Sequence, residues 1–271
     1  MPVLVVQSTV FGEMFGTDRM RSLFSDRAYV QRCLDVEAAL ARAQGRLGII
    51  PEEAATAISK VATVDRIDFD RLRERTEIVG YPILPIVQQL SDWAEDGLGQ
   101  YSHWGATTQD IMDTADVLQI RDALTQVEDD LGAIGAALVK LAEDHKHTPM
   151  AGRTHLQHAL PVSFGYKCAT WLSAIDRHLK RLAELRPRVE VVSFSGAAGT
   201  LASLGNQGLP TQAALAKELR LGVPEITWHT IRDNFAEVTG FIALVCGTIG
   251  KIGYDIMLMM QTETGEVLEP F

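Results

Sequence analysis

His155 stands in a polar stretch, Met150-Ala151-Gly152-Arg153-Thr154-His155-Leu156-Gln157-His158, between two of the longest helical runs of the chain. An imidazole titrates close to neutral pH, so a histidine placed where long helices are interrupted can act as an acid or a base. Arg153 can clamp a carboxylate with parallel N–H donors and Thr154 can add a hydroxyl while His155 moves a proton. The same stretch also fits a plain interhelical turn in which a backbone group satisfies the imidazole. His158 lies three residues further on, a spacing that zinc sites on helices do not favour, and no further ligands accompany it. His145 and His147 close a helix, where a cation suits the negative end of the dipole.

Two more polar stretches interrupt the helical pattern. In Ser102-His103-Trp104-Gly105-Ala106-Thr107-Thr108-Gln109-Asp110, either threonine can cap the helix that follows. The remaining N–H groups and hydroxyls, the Gln109 amide and His103 would then face an anion, and a carboxylate fits; the pattern is equally that of an ordinary N-cap. In Trp228-His229-Thr230-Ile231-Arg232-Asp233-Asn234, Arg232 can meet a substrate acid or pair with Asp233 and a neighbouring helix. Together the three stretches suit an anti elimination beside a carboxylate. A base removes the proton next to that carboxylate, preorganised donors hold the doubly charged aci-carboxylate, and an acid protonates the leaving group. His155 fits the last role, while no strong base stands out.

The elements that must position these residues read as helix almost throughout, with breakers between the periodic segments. Ser25-Asp26 caps a helix whose apolar face includes Val30, Cys33, Leu34, Leu40 and Leu47, and Gly48 closes it. Pro51-Glu52-Glu53 opens a second, with proline at the first helical position, and shorter helices follow at 69–78 and 86–95. Long runs are expected over 108–147, 162–186 and 230–262, with a glycine-, alanine- and serine-rich loop over 193–210. This predicts an all-α fold: a small N-terminal helical domain over 1–101, then a long-helix bundle over 102–271 that continues into partner subunits. The final segment, Glu263 to Phe271, has no capping signal or closing element, so an incomplete copy of a longer protein is expected.

Bulk properties narrow the partners. With 271 residues and 46% hydrophobic composition, the chain can bury a large core and exceeds the usual size of a single one. A formal net charge of -10 without a basic stripe argues against nucleic acid. The basic cluster from His178 to Arg188 reads as a solvated helix end. Three separated cysteines, Cys33, Cys168 and Cys246, suit buried thiols in a reducing cytoplasm. The start, Met1 to Val6, lacks the basic flank and cleavage site of an export signal, and no apolar run is expected to reach membrane-spanning length.

The stretch His103 to Thr114, the stretch Met150 to Pro161 and the loop Ser195-Gly196-Ala197-Ala198-Gly199-Thr200 together resemble the fumarase/aspartase superfamily. The likeness is to its adenylosuccinate lyase and 3-carboxy-cis,cis-muconate cycloisomerase branches and covers essentially the whole chain. It implies a cofactor-free homotetramer with a twenty-helix core, each active site built from three subunits around a small carboxylate substrate. It also implies a catalytic serine on a mobile loop of pattern GSSxMPxKxNP after Phe271, which accounts for the missing base.

The branches differ at three places. Asp35 to Gln44 and Gly165 look cycloisomerase-like, yet those enzymes tend to carry tryptophan where this chain has His155, and histidine there is the lyase arrangement. Gly80 to Pro85 replaces the Arg-His-Asp typical of adenylosuccinate lyases, which weakens a nucleotide substrate. Ile231-Arg232-Asp233-Asn234 stands where both branches favour Gln-Arg-Asp-Arg, removing a phosphate or carboxylate contact. The expectation is a lyase releasing fumarate, or a fumarate-like product, by cleaving a C–N or C–O bond of a succinyl-type substrate. The alternatives are lactonisation of carboxymuconate and a catalytically silent helical assembly protein.

Overall fold

The protein's structure, a computed structural model, describes Ser8 and residues 10–269. The readings made on Met1 to Val6 and on the chain's last two residues lie outside them. The chain divides into two compact units, one formed by residues up to Ala123 with Pro187–Arg232 and the other by Leu124–Arg186 with residues from Asp233 onward. The expected domain boundary near residue 101 falls inside the first unit.

The first unit is built from α1 (Asp18–Leu23), α2 (Asp26–Arg46), α3 (Glu52–Val61), α4 (Phe69–Val79), α5 (Ile83–Trp93), the start of α6 (Thr108–Asp144), and α8 (Gly208–Leu219). The α2 cap is the expected one: the Ser25 hydroxyl accepts from the Ala28 N–H at 3.2 Å. Pro51 is the cap of α3 instead of its first helical residue. The apolar stripe of α2 meets α3, α5, α6 and α8 in one core of fully buried Cys33, Leu34, Leu40, Ile58, Ile86, Leu90, Ile111, Phe194 and Leu215. Burying each such side chain contributes roughly 1.5–3 kcal/mol, which is what holds the loop 193–201 against α6.

The second unit holds the rest of α6, α7 (Phe164–Val189) and α9 (Asp233–Met259), packed through Leu131, Leu138, Cys168, Trp171, Ile175 and Met259. Trp171 donates Nε1–H to Asp255 at 2.9 Å, and His178 Nε2 lies 2.7 Å from the Thr248 hydroxyl, tying α7 to α9. His178 is therefore buried, a correction to the solvated helix end expected there: one face of the cluster points into the bundle. Cys246 is exposed, unlike Cys33 and Cys168, because it lies on an uncovered face of α9. The expectation of no membrane-length apolar run is also corrected. By length and composition α9 is long and apolar enough to cross a membrane, with a hydropathy of 1.6 over its best window, of which 11% is buried.

Among the described residues the one sheet is an antiparallel hairpin of β1 (Pro149–Thr154) and β2 (Gln157–Ser163), falling on the polar stretch around His155. Helical periodicity fails there, and Thr148, Pro149 and Pro161 bar a continuous helix. A register shift between Ala151 and Arg153 bulges β1 at Gly152, where a Cβ would lie 2.6 Å from the Leu160 carbonyl.

Candidate active site

Asp110 organises the beginning of α6. Its side chain is fully buried and accepts from four donors: the backbone N–H groups of Thr107 at 3.0 Å, Ser195 at 2.8 Å and Gly196 at 2.9 Å, and His229 Nε2 at 2.6 Å. The Thr107 contact is a capping interaction, made by the carboxylate inside the first turn and not by a threonine hydroxyl. Among the described residues neither the Thr107 nor the Thr108 hydroxyl has a hydrogen-bond partner. The glycine-rich loop is fixed to the same point. Gly196, at φ +73°, takes the left-handed turn that lets two consecutive N–H groups face one carboxylate. Thr114 anchors the loop from the next turn of α6, exchanging two hydrogen bonds of 2.9 Å with the Ser193 backbone.

One turn along, Asp113 is nearly fully buried and receives Arg232 bidentately, at 2.7 and 2.9 Å, together with the Gln109 amide at 2.7 Å. Arg232 also lies over the Trp228 ring at 5.5 Å. Its main partner is thus an acid on a neighbouring helix, as one of the two sequence readings had it, though the acid is Asp113 and not Asp233. Burial, reinforced by the charge of Asp113 and only partly offset by Arg232, raises Asp116 to about 6. His103, in the left-handed region at φ +61°, binds the buried Glu37 twice: its backbone N–H donates at 3.1 Å and Nδ1 lies 2.6 Å away. Burial opposes its charge, but the Glu37 charge and hydrogen bond, with Asp110 behind them, hold the imidazole above its ordinary value.

His155 belongs to the second unit. It occupies the two-residue turn between β1 and β2 with φ +51°, followed by Leu156 at φ +61°, and Thr154 pairs with Gln157 across the turn. Two consecutive left-handed residues define a type I′ hairpin turn, for which Asn-Gly is the low-energy sequence. A histidine and a leucine there store strain, a common condition at functional positions. Thr154, His155 and His158 are exposed. Arg153 is held by Glu266 at 2.8 Å, so its guanidinium already carries a carboxylate of the chain itself. Arg153 also lines a cavity of about 250 Å³ with Tyr166, Lys167 and Thr170. Among the described residues no group of His, Cys, Asp and Glu is arranged to hold a metal ion.

The predicted residues therefore fall into two sets. His103, Thr107, Thr108, Gln109 and Arg232 gather around the start of α6 in the first unit, and Arg153, Thr154 and His155 gather on the hairpin of the second. Sequence reasoning missed the carboxylates that organise the first set, Glu37, Asp110 and Asp113, and the imidazole His229. A signal existed for Glu37, which interrupts the apolar face of α2. It existed for Asp110 too, an acid three residues after Thr107 at a helix start. Nothing local marks His229, whose partner lies 119 positions earlier.

A profile of the family described as lyase matches residues 13–271. The chain is 50% identical over 271 residues to trans-aconitate decarboxylase 1 of Mycosarcoma maydis, covering 100% of this chain and 55% of that protein. It is 46% identical over 269 residues to the 3-carboxy-cis,cis-muconate cycloisomerase of Pseudomonas aeruginosa, covering 98% of this chain and 59% of that one. Among solved structures, the fumarate lyase from Mesorhizobium sp. BNC1 matches with a TM-score of 0.91 and 60% identity, over 94% of this chain and 60% of that one. The chain thus spans less than two thirds of the length of these relatives.

Proposed function

The chain belongs to the lyase family, and from that premise we propose that the intact protein cleaves a C–N or C–O bond of a succinyl-type substrate, releasing fumarate or a fumarate-like product. The proton beside a substrate carboxylate is removed first, and the aci-carboxylate that forms is held by donors around the start of α6. Thr107, Thr108 and Gln109 supply hydroxyl and amide groups, with His103 and Arg232 adding positive charge nearby. Collapse of that intermediate breaks the bond to nitrogen or oxygen, and His155 of another subunit, in the multi-subunit site that the family resemblance implies, gives the leaving group its proton. Arg153 and Thr154 of that hairpin bind a second substrate carboxylate, which must displace Glu266. The base is left to the serine loop that the family resemblance implies. No cofactor enters this scheme.

His155 carries the choice of elimination: an exposed imidazole at the tip of a strained turn is suited to proton transfer, which a tryptophan there could not perform. The name of the 60% identical fumarate lyase supports the same reading. Lactonisation of carboxymuconate is the second reading, supported by the 46% identity to a cycloisomerase. The named substrates of both curated relatives, trans-aconitate and carboxymuconate, are polycarboxylates, in keeping with a carboxylate substrate here. Incubating the intact protein with argininosuccinate, adenylosuccinate, carboxymuconate and trans-aconitate, with fumarate, lactone and carbon dioxide each monitored, separates the readings. Fumarate release is expected; lactone or carbon dioxide alone would sink the lyase reading, and no turnover at all would favour a silent assembly protein.

The proposal extends to a homotetramer acting in the cytoplasm, with N-terminal and long-helix domains as read from the sequence. Its support is α9, whose Leu244, Tyr254 and Met257 are more than half exposed in the single chain. Apolar surface of that extent suits burial against partner subunits.

A further inference from the structure

A cavity of about 650 Å³ in the first unit lies among α2, α3, α6 and α8, and its walls carry four arginines, Arg32, Arg42, Arg121 and Arg220, against two acids, Asp35 and Glu218. Its volume falls within the range of small-molecule sites. In a chain of formal net charge -10, a cavity with more guanidinium than carboxylate stands apart. Arg121 lies eleven residues beyond Asp110 on α6, roughly 16 Å along the helix, so this is a different place from the candidate active site.

Three of the four arginines on the walls have partners within the chain. Glu218 is shared by two arginines, Arg42 and Arg46, each at 2.7 Å. Arg32 is balanced by Asp35 at 2.8 Å and Asp122 at 2.6 Å. Arg121 donates to the Leu219 carbonyl at the end of α8 at 2.8 Å and lies 3.5 Å from Asp122. Arg220 has no side-chain partner among the described residues. It also takes the left-handed position that ends α8, at φ +56°, where glycine is the residue of least strain. The arginine at this position lines the cavity and carries a backbone cost.

We infer that this cavity binds a small multivalent anion, with Arg220 as its principal contact. Planar guanidinium groups converging on one space match the paired oxygens of phosphate or carboxylate. The inference does not rest on the lyase reading.

Calorimetric titration of the protein with inorganic pyrophosphate and, separately, with citrate, at constant ionic strength, distinguishes the phosphate source from the carboxylate one. Saturable binding of one of them is expected. Arg220→Gln, which removes an exposed side chain, should weaken it about tenfold, the usual scale of one charge-assisted hydrogen bond. Asp35→Asn should tighten it by removing a competing negative charge, a gain that a merely damaged fold would not produce. Thr108→Ala should leave it unchanged. Failure of both anions to saturate, an Arg220→Gln protein that binds like the parent, or loss of binding in Thr108→Ala would each overturn the inference.

Discussion

At the scale of single residues, buried carboxylates and imidazoles do most of the positioning. Removing the Asp110 side chain leaves three backbone N–H groups and His229 without their acceptor. Asp110→Ala should therefore cost about 3–5 kcal/mol in urea unfolding, and Asp110→Asn less, since one acceptor oxygen survives. Equal losses would mean that the acceptor network is not what stabilises the loop. His155→Ala in the intact protein should lower kcat about a hundredfold with little change in stability, because the side chain is exposed and its proposed work is proton transfer. Unchanged turnover would remove it from the mechanism. His103 sets a pH dependence. Its pKa is raised above the ordinary 6.5 in the folded protein, so the stability its charge contributes is complete below that value and lost as pH rises through the folded one. The stability gap between the parent and His103→Gln should accordingly be wider at about pH 6 than at about pH 9. A gap that widened toward alkaline pH would contradict the pairing with Glu37.

At the scale of elements, the long helices were legible because their apolar residues repeat with the helical period, and the Ser25 cap was legible because its chemistry is local. The hairpin was not. Its strands are short, β2 is largely exposed, and its turn has His155-Leu156 in place of the usual glycine-containing pair. The mismatch has a measurable consequence. Leu156→Gly should stabilise the protein by about 1 kcal/mol, since a non-glycine residue in the left-handed region carries a cost of that order. Thermal melts check it, and a destabilised variant would show that Leu156 makes contacts outweighing the strain.

At the scale of the whole molecule, the exposed apolar face of α9 bears on assembly. Light scattering of the intact protein should give the mass of four subunits, and Leu244→Glu, at a position 55% exposed in the single chain, should shift it toward smaller species. An unchanged mass would take that face out of any interface. The sequence by itself determined the all-helical framework, most helix limits and the polar stretches from which a candidate site is drawn. These follow from periodicity and capping, which act over a few residues. Only the tertiary structure decided that Arg232 answers to Asp113, that His229 answers to Asp110 and that Arg153 is held by Glu266. It decided too that four arginines share one cavity. Such pairings join residues more than a hundred positions apart, or elements that meet only through packing. A buried charge selects its partner by what the folded core brings within hydrogen-bond reach, and no local pattern encodes that.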